Sequence, residues 1–251
     1  MKINKSTSLP LDKFIEFALY DKDTGYYMKK NPFGTEGDFI TAPNITRLFS
    51  EIIAIWVITF WKSIGSPKKF NLLELGAGNG EMMKVIILTL KNFQECFDNC
   101  NFLIHEKSTF LKKQQKQNLK LENVKWVNDI KKLNSCPTIF LANEFFDALP
   151  IKQFFKKNGG WIERFVNLKK IDQAKFEEQL IDIKKIEKEL NFEISKDQEI
   201  IEYSPSSFKY LKDICKIIKN NNGGLLIIDY GYSNSKMHET LQAIKNHKYS
   251  N

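Results

Sequence analysis

The chain has 251 residues, 42% of them hydrophobic and 13% aromatic, and carries a formal net charge of +8. That length supplies one large domain, or a domain with a small lobe, and the composition provides for a real core. No apolar run of about 18 residues escapes a charge or a break, and Met1 to Pro10 lacks an apolar signal core, so neither membrane insertion nor secretion is expected. Only Arg47 and Arg164 among the 38 basic residues are arginines, and the lysines are scattered or lie in short runs such as Lys112-Lys113 and Lys131-Lys132. Nucleic-acid readers exploit the arginine fork, so the positive charge reads as solvated background and a nucleic-acid partner is not expected. Cys96, Cys100, Cys136 and Cys215 read as reduced thiols of a cytosolic protein, and no metal is expected, because His105 is the only histidine near the Cys96/Cys100 pair.

In chain order, Leu11–Leu19 has helical apolar spacing, Asp21–Tyr27 reads as a turn reversed at Gly25, and residues 31–43 as a Gly/Pro/Thr-rich loop. Ile45–Trp61 is apolar nearly throughout and predicts a buried helix ended by Gly65-Ser66-Pro67. An α/β alternation follows: a strand at Phe70–Leu75, a long helix over Glu81–Phe97, a strand at Asn101–His105 and a polar helix from Ser108 to about Leu119. Val124–Val127 and Thr138–Ala142 are further strands. Ile151–Phe155 and Trp161–Val166 flank the hairpin signal Asn158-Gly159-Gly160. The charged stretch 172–191 predicts a helix, Ser204–Lys219 another, and Leu225–Asp229 a last buried strand. Alternating strands and helices make a doubly wound, mainly parallel α/β sheet, with an N-terminal helical region (1–69) and an inserted hairpin (about 151–200) in a domain spanning 70–251. Ligands bind such sheets beyond the carboxyl ends of the strands, which directs attention to the residues after Leu75, His105, Val127, Ala142 and Ile228.

Glu74-Leu75-Gly76-Ala77-Gly78-Asn79-Gly80 lies between a predicted strand and helix, where glycines allow a sharp turn and close backbone approach to a ligand. Counted from Gly76, the third glycine of a dinucleotide fingerprint falls on Glu81, and no Gly-Lys-Ser/Thr follows, so the nicotinamide and phosphate-loop readings both fail. The acidic-x-Gly-x-Gly-x-Gly form resembles motif I of S-adenosylmethionine-dependent methyltransferases. In them the loop cradles the methionine part of the cofactor and the acid favours its ammonium. Glu106, just past the second strand, is placed to accept hydrogen bonds from vicinal ribose hydroxyls. Asp129 follows the third strand; it either meets the adenine amino group, as in methyltransferases, or caps the turn starting at Ile130. After the fourth strand, Asn143-Glu144-Phe145-Phe146-Asp147-Ala148-Leu149-Pro150 brings Asn143 and two carboxylates toward the bound methyl group.

Asp23-Thr24-Gly25-Tyr26-Tyr27, Gly37-Asp38-Phe39-Ile40-Thr41-Ala42-Pro43, the glycine loop, Ala142 to Pro150, Trp161-Ile162-Glu163-Arg164 and Asp229-Tyr230-Gly231 occur in this order. The ordered set resembles the MidA-like family, whose mitochondrial members assist respiratory complex I assembly. The resemblance covers nearly the whole chain. It implies a class I methyltransferase fold, S-adenosylmethionine as cofactor, and a protein substrate, namely an arginine of a complex I subunit. The implied location is the cytoplasm of a bacterium or the mitochondrial matrix of a eukaryote, with the cytoplasm preferred. Family members usually have Glu at Asn44 and Gly at Ser50, and their loop often reads Gly-Pro-Gly-Arg-Gly, against Ala77 and Asn79 here. They also continue beyond the segment around Thr240–His247, and the two antiparallel strands that usually finish such sheets are not found before Asn251.

An arginine guanidinium is protonated and poorly nucleophilic, so two carboxylates are expected to clamp and orient it. Glu144 and Asp147 fill that role, with Asp38 third because its loop is able to fold over the site. Two rival classes stay open: a cofactor-binding assembly chaperone without turnover, and an RNA methyltransferase.

Overall fold

The computed structural model describes residues 8–29, 32, 37–39, 41–120, 122–133, 136–168, 174–233, 236–245 and 248–250. Its elements begin with β1 (Ser8–Pro10), α1 (Leu11–Tyr20), α2 (Tyr26–Lys29), α3 (Ala42–Ile45) and α4 (Arg47–Ser63). Then come β2 (Phe70–Leu75), α5 (Glu81–Leu90), α6 (Gln94–Asp98), β3 (Cys100–His105), α7 (Thr109–Asn118), β4 (Val124–Trp126), a single tight turn at Ile130–Lys132, and β5 (Thr138–Asn143). The remainder is β6 (Lys152–Lys157), β7 (Gly160–Asn167), β8 (Lys175–Ile181), α8 (Ile183–Leu190), β9 (Ile200–Tyr203), α9 (Pro205–Asn221), β10 (Gly223–Ile228), β11 (Ala243–Lys245) and β12 (Lys248–Ser250). The chain divides into two compact units: Met1–Gly25 with Leu149–Phe208 and Gly231–Gln242, and Tyr26–Ala148 with Lys209–Tyr230 and Ala243–Asn251.

The larger unit is built on a five-stranded sheet in the order β10-β5-β2-β3-β4, with every adjacent pair parallel. All six residues of β2 are buried, as a strand covered on both faces requires. Alternate side chains serve opposite layers. Leu72, Phe102, Ile104, Ile139 and Leu141 pack with Trp61 of α4 and Ile86 of α5, while Leu73, Leu75, Leu103, Phe140 and Ala142 pack with Ile214 of α9. This is the doubly wound fold expected of a class I methyltransferase. The order runs outward from β2 through β3 to β4, then returns to β5 on the other flank. The topological switch point therefore lies between the carboxyl ends of β2 and β5. Among the described residues no further strand joins this sheet, and β11 and β12 pair only with each other.

Two predicted helices of this unit need correction. Glu81–Phe97 is not continuous: it breaks after Leu90, where the Asn92 amide donates to the carbonyls of Leu88 and Thr89 and competes with the helical ladder, and restarts as α6. The helix predicted over Ile45–Trp61 forms as α4, but it is not buried all round. Val57 and Ala54 are fully covered while Leu48, Ile52 and Ile55 are exposed. Ser50 is fully buried and its hydroxyl has no partner.

The smaller unit is antiparallel. β7 pairs with β6 through Gly160–Glu163, with β1 through Phe165–Asn167, and along its other edge with β8, while β9 pairs with β6. Asn158 and Gly159 both have positive φ, 49° and 76°, as the tight hairpin between β6 and β7 demands. The helix predicted over 172–191 is a strand followed by a helix: β8 occupies Lys175–Ile181 and α8 begins only after Asp182 caps Lys184 (residues 172 and 173 lie outside the described set). Cross-strand pairing overrides helix propensity there. Glu178 sits opposite Arg164 and is bonded by Lys157 at 2.6 Å, and Phe176 stacks on the Arg164 guanidinium at 4.6 Å. Strands β1 and β9 have no counterpart in the sequence reading. Gly25 closes its turn because a Cβ there would meet the Asp21 carbonyl at 2.5 Å, and Tyr26 already starts α2.

Candidate functional site

The glycine loop leaves β2 at Leu75. Gly76 donates its N–H to the His105 carbonyl at 2.9 Å, and Gly80 caps α5. Gly76, Gly78 and Gly80 have φ of 65°, 53° and 86°, a left-handed region that side-chain-bearing residues avoid. Loop and strand ends border a cleft open to solvent. Among the described residues it is lined by Thr41, Pro43, Asn44, Glu74, Gly76, Ala77, Gly78, Asn79, Met82, Asn143 and Glu144. The cleft thus lies at the switch point, with β2 contributing one wall and β5 the other.

Glu74 is buried on β2, and its Oε2 has no hydrogen-bond partner. Burial pushes its carboxyl up to about 8; the Glu106 charge adds to this and the Met83 backbone N–H opposes it. Asn143 Oδ1 is a second buried oxygen without a partner. Two orphaned acceptors in one cleft are costly without an occupant that donates hydrogen bonds or carries positive charge.

Glu106 is buried just past β3. Its Oε1 accepts from the Ser108 N–H at 2.8 Å and its Oε2 from the Gln115 amide at 3.1 Å. Burial raises its pKa, against those hydrogen bonds and the Lys112 charge. It does not line the cleft directly. Asp129 does what the second of its two readings requires: its Oδ1 accepts from the Lys131 N–H at 3.0 Å and caps the turn.

Beyond β5, Glu144 adopts a left-handed conformation (φ 47°), a strained geometry concentrated at functional sites. Burial raises its pKa, the Ala42 N–H and Asn143 amide lower it, and Asp229 raises it again. Asp147 is exposed as a residue, yet protein crowds its carboxyl. Burial first, then the charges of Asp229 and Glu144, push it up to about 6. Asp229 accepts the Phe146 and Asp147 N–H groups on Oδ2, at 3.0 and 3.3 Å. Glu144, Asp147 and Asp229 therefore form one acidic group. Asp38 is buried and takes the Tyr26 hydroxyl; it is not among the residues lining the cleft.

Three participants have no role in the sequence reading. Asp229 stands directly after β10, a position the strand-end rule marks. Tyr27 feels the charges of both Asp147 and Glu106, which raise its pKa after burial. Gln115 is fully buried within a helix that reads as polar. Its signal is position: Leu111, Gln115 and Leu119 recur every four residues on the buried face, so a polar side chain occupies a core position.

The residues fit S-adenosylmethionine on the structure's own terms: acceptors without partners where a cation would sit, a loop with glycine at every second position, and a carboxylate held at the next strand end. Burial lowers the pKa of His105, and its bond to the Val127 carbonyl opposes this. Its ring nitrogens are bound to the Val127 carbonyl and the Tyr210 hydroxyl, each at 2.9 Å. All four cysteines are free thiols. Among the described residues no helix is long and apolar enough to cross a membrane.

Comparisons with known proteins bear on the family and the fold. The chain is 29% identical over 286 residues to the mitochondrial protein arginine methyltransferase NDUFAF7 homolog of Drosophila melanogaster, and 26% identical over 273 residues to the Homo sapiens protein of that name. It is covered over 98% of its own length in both cases, but spans 62% and 61% of theirs. A crystal structure from Burkholderia thailandensis bound to S-adenosyl-homocysteine superposes with a TM-score of 0.70 at 22% identity, covering 84% of this chain and 55% of that one, and so shares the fold. The family model described as "Putative S-adenosyl-L-methionine-dependent methyltransferase" matches residues 52–251, and the chain belongs to that family.

Proposed function

We propose that the cleft binds S-adenosylmethionine and that the protein transfers its methyl group to an arginine of a protein substrate. The observation that carries the cofactor is the pair of buried, unpartnered oxygens, Glu74 Oε2 and Asn143 Oδ1, beside three left-handed glycines. On this reading Glu74 and Asn143 receive the cationic amino-acid end, Gly76, Gly78 and Gly80 let the backbone approach it, Glu106 takes the ribose hydroxyls, and Asp129 borders the adenine. Thr41, Pro43 and Asn44 line the cleft, which supports a substrate-side cover from the part of residues 1–69 that belongs to the larger unit.

When bound, the cofactor supplies an electrophilic methyl on sulfur. The chain's own residues then handle the guanidinium. Glu144 and Asp147 bind it by charge-assisted hydrogen bonds and turn one nitrogen toward the methyl; Asp147 is poised to hold the proton that nitrogen releases. Asp229 orients this segment through the Phe146 and Asp147 N–H groups. Asp38 acts through Tyr26 on the cover. The names of the relatives support an arginine, and the MidA-like resemblance supports a complex I subunit as its bearer. The relatives' names also support a mitochondrial location for a eukaryotic chain, and a bacterial one would work in the cytoplasm.

The test is incubation of the protein with radiolabelled S-adenosylmethionine and a lysate of the same organism. Label in a protein whose hydrolysate yields methylated arginine is expected. Label in RNA replaces the protein-substrate reading, and cofactor binding with no label anywhere replaces catalysis with a chaperone role.

A further inference from the structure

Gln115 projects from α7 into the core with no solvent exposure, and its amide makes three hydrogen bonds. Nε2 donates to the Gly78 carbonyl at 2.9 Å and to Glu106 Oε2 at 3.1 Å, while Oε1 accepts from the Trp126 indole N–H at 2.8 Å. The orientation of the amide is dictated by chemistry. An indole N–H only donates, and a carbonyl and a carboxylate only accept, so a single flip state satisfies all three.

We propose that Gln115 is a positioning residue that sets selectivity for a ribose-bearing nucleoside in the cleft, by clamping the Glu106 carboxylate and the glycine loop to one another. This rests on the reading of the cleft as the S-adenosylmethionine site. The Glu106 carboxylate is held at both oxygens, by the Ser108 N–H on one side and Gln115 on the other. The Lys107 backbone N–H bonds the same carboxylate, so two vicinal hydroxyls meet an acceptor already fixed in plane. Burial favours the neutral acid, and the Gln115 donor opposes that by stabilising the ionised form. Without it the Glu106 Oε2 loses its protein donor, and the carboxyl is held on the Ser108 and Lys107 side alone.

The same amide orders the loop. A trans peptide holds its N–H antiparallel to its C=O, so anchoring the Gly78 carbonyl also directs the Asn79 N–H. One turn further along α7, Asn118 donates to the next carbonyl, that of Asn79, at 2.9 Å. A Cβ on Gly80 would lie 3.2 Å from Leu119 Cδ1, so the carboxyl-terminal turn of the helix is seated against the loop. Gln115 is the point where the loop, the carboxylate and β4 meet.

The experiment is calorimetric titration of the full chain with S-adenosylhomocysteine and with its 2′-deoxy analogue, in wild type, Gln115→Met and Trp126→Phe, with melting temperature measured in parallel. Wild type is expected to prefer the ribose ligand by about tenfold or more, the scale of a hydrogen bond to a charged group. Gln115→Met, similar in volume and without donors, is expected to cut that preference to about threefold or less. Trp126→Phe removes the donor to Gln115 Oε1, leaving that side of the amide unanchored, and is expected to give an intermediate preference, so the inference stays testable if Gln115→Met does not fold. A folded Gln115→Met with the full ribose preference overturns the inference, as does an unchanged preference in Trp126→Phe. A wild type that binds neither ligand overturns the cofactor reading itself and is distinguishable from both.

Discussion

The two sheets of this protein treat polar side chains in opposite ways. In the parallel sheet β2 is buried at all six positions; an Asn101–Asn71–Thr138 hydrogen-bond chain ties the amino ends of the strands, and Glu74, Glu106, Asn143, Glu144 and Asp229 lie toward the carboxyl ends. In the antiparallel sheet, charge runs through the strands and is balanced sideways. β8 is largely exposed, and Lys152 of β6 sits between the buried carboxylates of Asp12 and Glu163, at 3.2 and 2.5 Å. A sheet covered on both faces offers a ligand only its edges and ends; a sheet open on one face spends its polar groups on its own register.

The sharpest way to break the contrast is to make one change in both sheets. Leu73→Ala, in β2 with no exposure, is expected to cost about 3 kcal/mol by cavity formation, whereas Leu180→Ala, 82% exposed on β8, is expected to change stability by no more than about 0.5 kcal/mol. Chemical denaturation of both variants checks it, and equal losses would contradict the two-sheet account. At the strand ends, Glu144→Gln and Asp147→Asn are predicted to leave S-adenosylhomocysteine affinity intact and to slow methyl transfer about 100-fold. Single-turnover kinetics separate the two quantities, and a parallel loss of affinity would move these residues from substrate to cofactor.

Acidity gives a third test. Asp147 is pushed up to about 6, so lowering the pH from 7 to 5 protonates the carboxylate that holds the guanidinium. Methyl transfer is expected to fall through a midpoint near pH 6, and Asp147→Asn to flatten that limb of the profile. A wild-type rate constant across this range argues against the clamp.

A smaller effect is expected at Arg164, the rare arginine of the hairpin. Its guanidinium lies between the rings of Phe155 and Phe176, 4.5 and 4.6 Å from their centroids, and bonds to Gln153 and Glu239. Lysine cannot stack as a plane, so Arg164→Lys is predicted to lower stability by about 1 kcal/mol without touching cofactor affinity. A drop in affinity with unchanged melting would contradict its assignment to the antiparallel sheet alone.

The same contrast explains what the sequence makes legible. The parallel strands read as short apolar runs, and the glycine loop announces itself because three left-handed turns leave few residue choices. β8 reads as helix because Lys-Phe-Glu-Glu-Gln-Leu-Ile has helix-forming composition, and its strand conformation comes from partners more than ten residues away, such as Arg164 opposite Glu178. At the site, Glu106 is readable from its place after a strand. Gln115 is not, because three hydrogen bonds to groups distant in sequence give it its role, and only its place in the Leu111–Leu119 stripe marks it as unusual.

The central claim is that the switch-point cleft of the parallel sheet holds S-adenosylmethionine, and Gly78→Val tests it most directly. Gly78 stands at φ 53°, where a β-branched side chain is strained and blocks backbone approach to a ligand. Calorimetry with S-adenosylmethionine is expected to show binding to wild type and none to a variant whose circular dichroism and melting show it folded. Equal affinity in the folded variant, or no binding to the wild-type chain, would contradict the account.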